Sequence, residues 1–213
     1  MTKKDKKEEI IIIENNDDNS VTIIGEESGG WSRKPNGPKS LTITMTKTKK
    51  PKDFGEISQN HPWNTRGTHN NNELKWVSSS DEVRMAVLAD ADKLDPDIFI
   101  ITDEGVKDIE NKERYKSLFG EITEEVFKNT NEENIELVMD DSDLMKPMTG
   151  MEKVKDIAER HPNKNIRYKQ VDSEKYPVIQ TQDMIAGAAN KSRAGDSTFI
   201  DKVSKNIRQW IKR

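Results

Sequence analysis

From Ser80 onward the apolar residues switch between a helical period and unbroken runs too short for helices, and this alternation restricts the fold more than any other feature. Val83, Ala86, Val87, Ala91 and Leu94 recur on one helical face behind Ser80, a residue type that caps helix N-termini, and Asp95-Pro96 ends the pattern. Residues 98–101 are apolar without a break, as a strand covered on both faces requires. Tyr115, Leu118, Phe119, Ile122 and Val126 then mark a second amphipathic helix, and 135–139 a second buried strand that ends in Asp140-Asp141. Met151, Val154, Ile157 and Ala158 predict a helix stopped by His161-Pro162, followed by a strand over 166–171 and a helix over 178–190. Strands and helices alternating at these lengths predict an α/β fold whose sheet is largely parallel.

The first 80 residues follow other rules. Residues 21–24 and 41–47 are strand-like, the latter alternating Leu41, Ile43 and Met45 with Thr42, Thr44 and Thr46. The apolar run 10–13 reads either as a further hairpin partner or as a sticky arm, and the segment 1–18 as a charged, partly flexible N-terminal arm. The remainder, 19–213, reads as a single domain. Within it, 48–72 is polar and without period, which predicts a long loop. At the other end Phe199, Val203, Ile207, Trp210 and Ile211 predict a closing amphipathic helix. Its outer face would carry Lys202, Lys205, Arg208 and Lys212, the best local candidate for contacting phosphates.

Composition removes several chemistries. The absence of Cys excludes disulfides, thiolate nucleophiles and Cys-ligated metals. His61, His69 and His161 lack metal-ligand spacing, so a bound metal would need oxygen ligands and would be a hard cation such as magnesium or manganese. No glycine-rich phosphate loop followed by Lys-Ser or Lys-Thr is present, and Glu26-Glu27-Ser28-Gly29-Gly30 does not fit the dinucleotide fingerprint. A net charge of −4 gives no global attraction to nucleic acid. No apolar run is long enough to span a bilayer and no secretion signal is evident, so the chain reads as cytoplasmic, with no membrane association and no inferable protein partner.

The segment 178–190, VIQTQDMIAGAAN, places Asp183 among small and apolar residues on a helix otherwise suited to burial. A carboxylate taken out of water must be paired, hydrogen-bonded, bound to a metal or protonated. Asp183 therefore stands either at a site or at the wetted edge of the core. Other acids sit at strand ends: Glu26 and Glu27 after the first strand, Asp140 and Asp141 after 135–139, with Glu73 opening a short Glu-Leu-Lys-Trp segment. Carboxylates converging from distant segments are what divalent-ion-assisted phosphodiester cleavage requires.

Glu26-Glu27-Ser28-Gly29, Glu73-Leu74-Lys75, Met139-Asp140-Asp141, Asp172-Ser173 and Gln180-Thr181-Gln182-Asp183-Met184-Ile185-Ala186-Gly187 resemble, in order and approximate spacing, the motifs of a family of uncharacterised ribonuclease H-like proteins. Its members open with Asp-Glu-Ser-Gly and carry a late Gln-x-x-Asp-hydrophobic-hydrophobic-Ala-Gly segment. The resemblance spans 26–187, and its last motif is the most specific. It implies a ribonuclease H-like mixed sheet, N-terminal strands first and alternating helices and strands after. It further implies that Glu26, Glu73, Asp140 and Asp183 are the catalytic metal ligands for Mg2+ or Mn2+, with Glu27 and Asp141 as nearby substitutes should the register differ by one position. Asp103 is a rival for the third ligand, and Lys75 a candidate phosphate contact. Ser28 and Ser173 read as turn residues, since no base stands beside either. One position departs from the family: Glu26 stands where the motif has Asp, which displaces the carboxylate, and metal sites need placement within about half an ångström.

Two functions follow as expectations. One is a divalent-metal-dependent phosphodiester hydrolase, a nuclease with nucleic acid as its partner; the other is a catalytically inactive ribonuclease H-like binding or regulatory protein. A toxin-like acidic nuclease fold is disfavoured by the strand-rich stretch after Glu26.

Overall fold

The structure is a computed structural model, and it describes residues 19–29, 40–61, 74–104, 111–141 and 145–213. The expected arm 1–18, the run 10–13, His69 and Glu73 lie outside the described residues. Six strands form one mixed sheet: β1 (Ser20–Ser28), β2 (Leu41–Thr48), β3 (Asp97–Asp103), β4 (Asn134–Asp140), β5 (Asn165–Val171) and β6 (Ile207–Lys212). Their order across the sheet is β5-β4-β1-β2-β3-β6. β1, β2 and β3 form an antiparallel meander, whereas β4 and β5 run parallel to β1, and β6 runs parallel to β3.

Helices cover both faces. α1 (Pro51–Asn60), α2 (Asp81–Lys93) and α5 (Pro177–Arg193) share one core with Ile24, Ile98, Ile100 and Val138. α3 (Asn111–Lys128) and α4 (Pro147–Ala158) share the other with Val21, Ile23, Phe99, Leu137 and Met139. Strand residues alternate between the two cores because successive side chains point to opposite faces of a sheet. Ser80 caps α2 as its type predicts, its side chain accepting from the Val83 amide at 3.4 Å. Among the described residues, no helix is long and apolar enough to cross a membrane.

Three expectations need correction. β1 continues to Ser28, so Glu26 and Glu27 lie inside the strand rather than beyond it. Composition suggests a loop over 48–72, yet 51–60 is helical. Pro51 suits the first helical turn, and a single stripe, Phe54, Gly55, Ile57 and Ser58, is buried, which leaves the rest of α1 polar. Phe54 is fully enclosed, its carbonyl accepts from Thr181 Oγ1 at 2.8 Å, and Gly55 abuts Val178 of α5.

The closing amphipathic helix is the third correction. Residues 200–206 form two short 3-10 turns, and Ile207–Lys212 is an edge strand. A register shift opposite Ile98 and Phe99 inserts an extra residue into β6. That shift lets Ile207 and Trp210, three apart, pack against the same core, which mimics a helical spacing in the sequence. Lys202, Lys205, Arg208 and Lys212 therefore do not share a helix face. Lys205 pairs with Asp92 at 2.9 Å and Arg208 with Asp97 at 2.5 Å.

α5 is the most enclosed helix of the described residues, and Gly187 is the point of closest approach on it. A Cβ there would lie 2.2 Å from Cγ and Cδ2 of Trp76. An ordinary helical Gly→Ala change stabilises by about 1 kcal/mol. Gly187→Ala is expected to do the opposite, losing about 2 kcal/mol through overpacking, a Tm fall of about 4–8 °C. A rise in Tm measured by calorimetry would show that Trp76 does not rest on Gly187.

Candidate acidic site

Pairing of β1 with β4 sets the site. Gly25 lies opposite Met139, which puts Glu26 and Asp140 at the next step of the parallel ladder, on strands about 4.8 Å apart. Both alternate with residues of the α5-side core, Ile24 before Glu26 and Val138 before Asp140, so both side chains are directed to the face that α5 covers. Asp183 reaches the same region from α5, and its charge acts on Glu26 and on Asp140 alike. Three of the four acids singled out in the sequence thus come within electrostatic reach of one another. The fourth, Glu73, lies outside the described residues.

The alternates one position away face elsewhere. Glu27 turns to the α3 side, where Tyr115 donates its hydroxyl to Glu27 Oε2 at 2.9 Å. Asp141 is exposed, and its amide donates to the Val171 carbonyl at 2.9 Å. Asp103 also lies on the α3 side, where Arg114 grips it through Nη2 to Oδ1 at 2.5 Å and Nε to Oδ2 at 2.7 Å. An acid held by both prongs of a guanidinium is committed to structure, which removes Asp103 as a rival ligand. His61 and His161 pair with Asp90 and Glu124, at 2.9 and 3.2 Å, away from the acids.

The late motif acquires a role residue by residue. Gln180 accepts from the Leu74 amide at 3.1 Å and donates to the Ser173 carbonyl at 2.8 Å. Gln182 donates to Thr44 Oγ1 at 2.9 Å, and Thr44 lies directly opposite Glu26 in the β1/β2 ladder. Asp183 Oδ2 accepts from the Trp76 amide at 2.7 Å. Gly187 seats the Trp76 ring, which meets Phe199 edge-on at 5.0 Å. Arg84 lies over that ring at 4.5 Å and donates to the Trp76 carbonyl from Nε at 3.0 Å and Nη2 at 2.6 Å.

Sequence reasoning missed these positioning contacts. Gln180 and Gln182 carried a signal, because amides on an apolar helix must find partners when buried. Arg84 carried none, since it works through a backbone carbonyl. Ser173 supplies its carbonyl to Gln180, and Ser28 ends β1 opposite Thr42, so neither serine is placed as a nucleophile.

Electrostatics follow from burial. Glu26 is 7% exposed, and its Oε2 has no hydrogen-bond partner among the described residues. Burial, and then the charges of Asp140, Asp183 and Glu27, hold the Glu26 carboxyl well above the usual range, while Lys75 draws it back. Asp140 is pushed up to about 7, first by burial and then by Glu27 and Asp183, against Lys75 and the Asp141 amide. Among the described residues, no three His, Asp or Glu side chains form a group that could hold a metal ion. A half-open cavity of about 210 Å3 lies at the far end of β1, beside Val21 and Lys47, and is remote from these acids.

A scan against protein-family models finds no match, and a search of curated proteins finds none.

A sign follows for the dependence of stability on pH. Asp140 gives up its proton at about 7 in the fold, against about 3.9 in an unfolded chain. Between those values the native state holds the extra proton, so stability falls as pH rises, and the penalty is complete above the folded value. With a chelator present, Asp140→Asn is expected to stabilise the protein by about 2 kcal/mol at about pH 8, after discounting for the partial exposure of Asp140. At about pH 4 the gain should largely vanish. Urea unfolding at the two pH values reads the difference, and an equal effect at both would contradict the raised value.

Proposed function

We propose that the protein is a divalent-metal-dependent phosphodiester hydrolase, a nuclease, built on a ribonuclease H-like sheet. The observation that carries this reading is the buried Glu26 oxygen with no donor to satisfy it, on the strand beside Asp140 and within reach of Asp183. A buried carboxylate with one oxygen lacking a hydrogen-bond partner and like charges around it is unfavourable as an anion. A hard cation is the partner that removes the penalty, and carboxylate oxygens are its natural donors. The mixed sheet, with N-terminal strands first and helices alternating with strands after, agrees with the arrangement the motif resemblance implies.

In this reading Glu26, Asp140, Asp183 and Glu73 would hold Mg2+ or Mn2+. Bound there, the ion would supply activation of water and stabilisation of the leaving oxygen. The chain's own contribution is placement. β1 and β4 fix Glu26 and Asp140 side by side, and α5 holds Asp183 against the Trp76 amide. Burial by α5 limits water around Glu26 and strengthens every charge interaction there.

A second reading, a catalytically inactive binding or regulatory protein, is favoured by the Glu at position 26 and by the absence of a ready metal-holding group among the described residues. The two readings separate in one experiment. Hydrolysis of RNA, DNA and hybrid by the purified protein is followed with Mg2+ and with Mn2+, beside calorimetric titration of each metal. The hydrolase reading expects metal-dependent cleavage that Glu26→Gln lowers by at least about 100-fold, the scale on which removal of a charge-stabilising group acts. An inert wild type whose Glu26→Asp variant gains activity would establish the second reading. Neither cleavage nor metal binding in any variant contradicts the first.

A further inference from the structure

Gln182 is fully enclosed between α5 and the sheet, yet only one arm of its terminal amide has a partner. Nε2 donates to Thr44 Oγ1 at 2.9 Å, whereas Oε1 has no hydrogen-bond partner among the described residues. The hydroxyl decides which arm meets it. Thr44 Oγ1 turns its proton to the Glu26 carbonyl, 3.5 Å away, so it offers Gln182 a lone pair and no proton. The amide nitrogen therefore faces Thr44, and Oε1 is left facing away from it.

The strand ladders fix what lies beside that oxygen. Thr44 stands directly opposite Glu26, and opposed residues on one face of an antiparallel pair have Cβ atoms about 4.5–5.5 Å apart. Both are on the α5 side, since Ile43 and Met45 belong to the other core. Asp140 occupies the other flank of Glu26, one step beyond the Gly25–Met139 pair. Asp140, Glu26 and Thr44 thus form a row across three neighbouring strands, with the Gln182 amide seated on the third. Two buried acceptors, Glu26 Oε2 and Gln182 Oε1, come to one level of the sheet with no donor for either among the described residues.

A buried acceptor without a partner is costly, and two acceptors cannot satisfy each other. A cation serves both at once. Among the described residues, acids alone do not make up a group of three that could hold a metal ion. An amide oxygen adds a hard ligand of the kind that Mg2+ and Mn2+ accept, without adding to the repulsion among the carboxylates.

We infer that Gln182 Oε1 is a further ligand for the divalent cation, on the opposite flank of Glu26 from Asp140. The inference rests on the hydrolase reading above and deepens it. Position 182 is one of the two that the Gln-x-x-Asp motif leaves open, so the resemblance assigns it no role. The longer side chain at position 26 gains a use as well, because its added methylene carries the carboxyl from β1 toward α5, where the amide sits.

The test follows the amide itself. In the full chain carrying 13C-labelled glutamine, the Cδ resonance of Gln182, one of five glutamines, is assigned through its bonds and followed during Mg2+ titration. Coordination should move it in step with the calorimetric binding curve and leave Gln59, Gln170 and Gln209 in place. This needs no variant, so it decides even where a substitution fails to fold. Calorimetric Mn2+ titration of three variants adds the energetics. Gln182→Met keeps the length and loses the oxygen, and should weaken Mn2+ binding by about 10-fold or more, the scale on which losing a supporting group acts at metal sites. Gln182→Glu restores an oxygen and should recover wild-type affinity or exceed it. Thr44→Val keeps the amide oxygen and should cost far less than Gln182→Met. A role confined to packing on Thr44 would make those two variants equally costly, and that result would overturn the inference. A Gln182 resonance that stays put while Mg2+ binds would overturn it too, leaving the hydrolase reading intact. A wild type that binds neither ion would sink the hydrolase reading, and the ligand role with it.

Discussion

Parallel pairing of β1 with β4 forces two carboxyls into neighbouring positions on the face that α5 covers, and the rest of the site is arranged around that constraint. Glu26 and Asp140 cannot separate without a register change, which would carry the flanking Ile24 and Val138 out of the core they share with α5. Hydrophobic packing of the central strands thus sustains an electrostatic arrangement that is unfavourable by itself. The raised proton affinities of both acids are the signature of that conflict.

α5 resolves part of it. Three polar contacts from one helix, by Gln180, Gln182 and Asp183, reach Leu74 and Trp76 on one segment and Thr44 on β2. These contacts pair most of the buried polar groups of the motif, as burial demands, while Gln182 Oε1 finds no partner among the described residues. The pattern Gln-Thr-Gln-Asp is therefore a fastening device as much as a chemical one. Asp183 serves both ends: it fixes the Trp76 amide and adds to the field at Glu26. Trp76, Gly187, Phe199 and Arg84 complete the fastening by stacking and close approach.

Much of this was legible in the sequence wherever side-chain periodicity decides structure. The elements from Ser80 to Arg193 follow their apolar patterns, because β3 and β4 are interior strands and the helices bury apolar residues against the sheet. α1 was hidden, since only Phe54, Gly55, Ile57 and Ser58 of its ten residues carry the packing, beside Pro51 at its start. β6 resembles a helix in its sequence pattern because a bulge places Ile207 and Trp210 on one side, a spacing that belongs to helices. Glu26, Asp140 and Asp183 could be picked out as acids near strand ends or in an apolar helix. That Glu26 and Asp140 take neighbouring positions on the α5 side of the sheet, while Glu27 and Asp103 turn to Tyr115 and Arg114, depends on strand alternation and register that single-residue chemistry does not reveal.

The proposed function requires that Glu26 and Asp140 share a divalent cation. Anomalous diffraction from crystals grown with Mn2+ tests it most directly. The account predicts a manganese peak within coordination distance, about 2.0–2.3 Å, of oxygens of both Glu26 and Asp140. A map with no peak between them at saturating Mn2+, with both carboxyls in place, would contradict it.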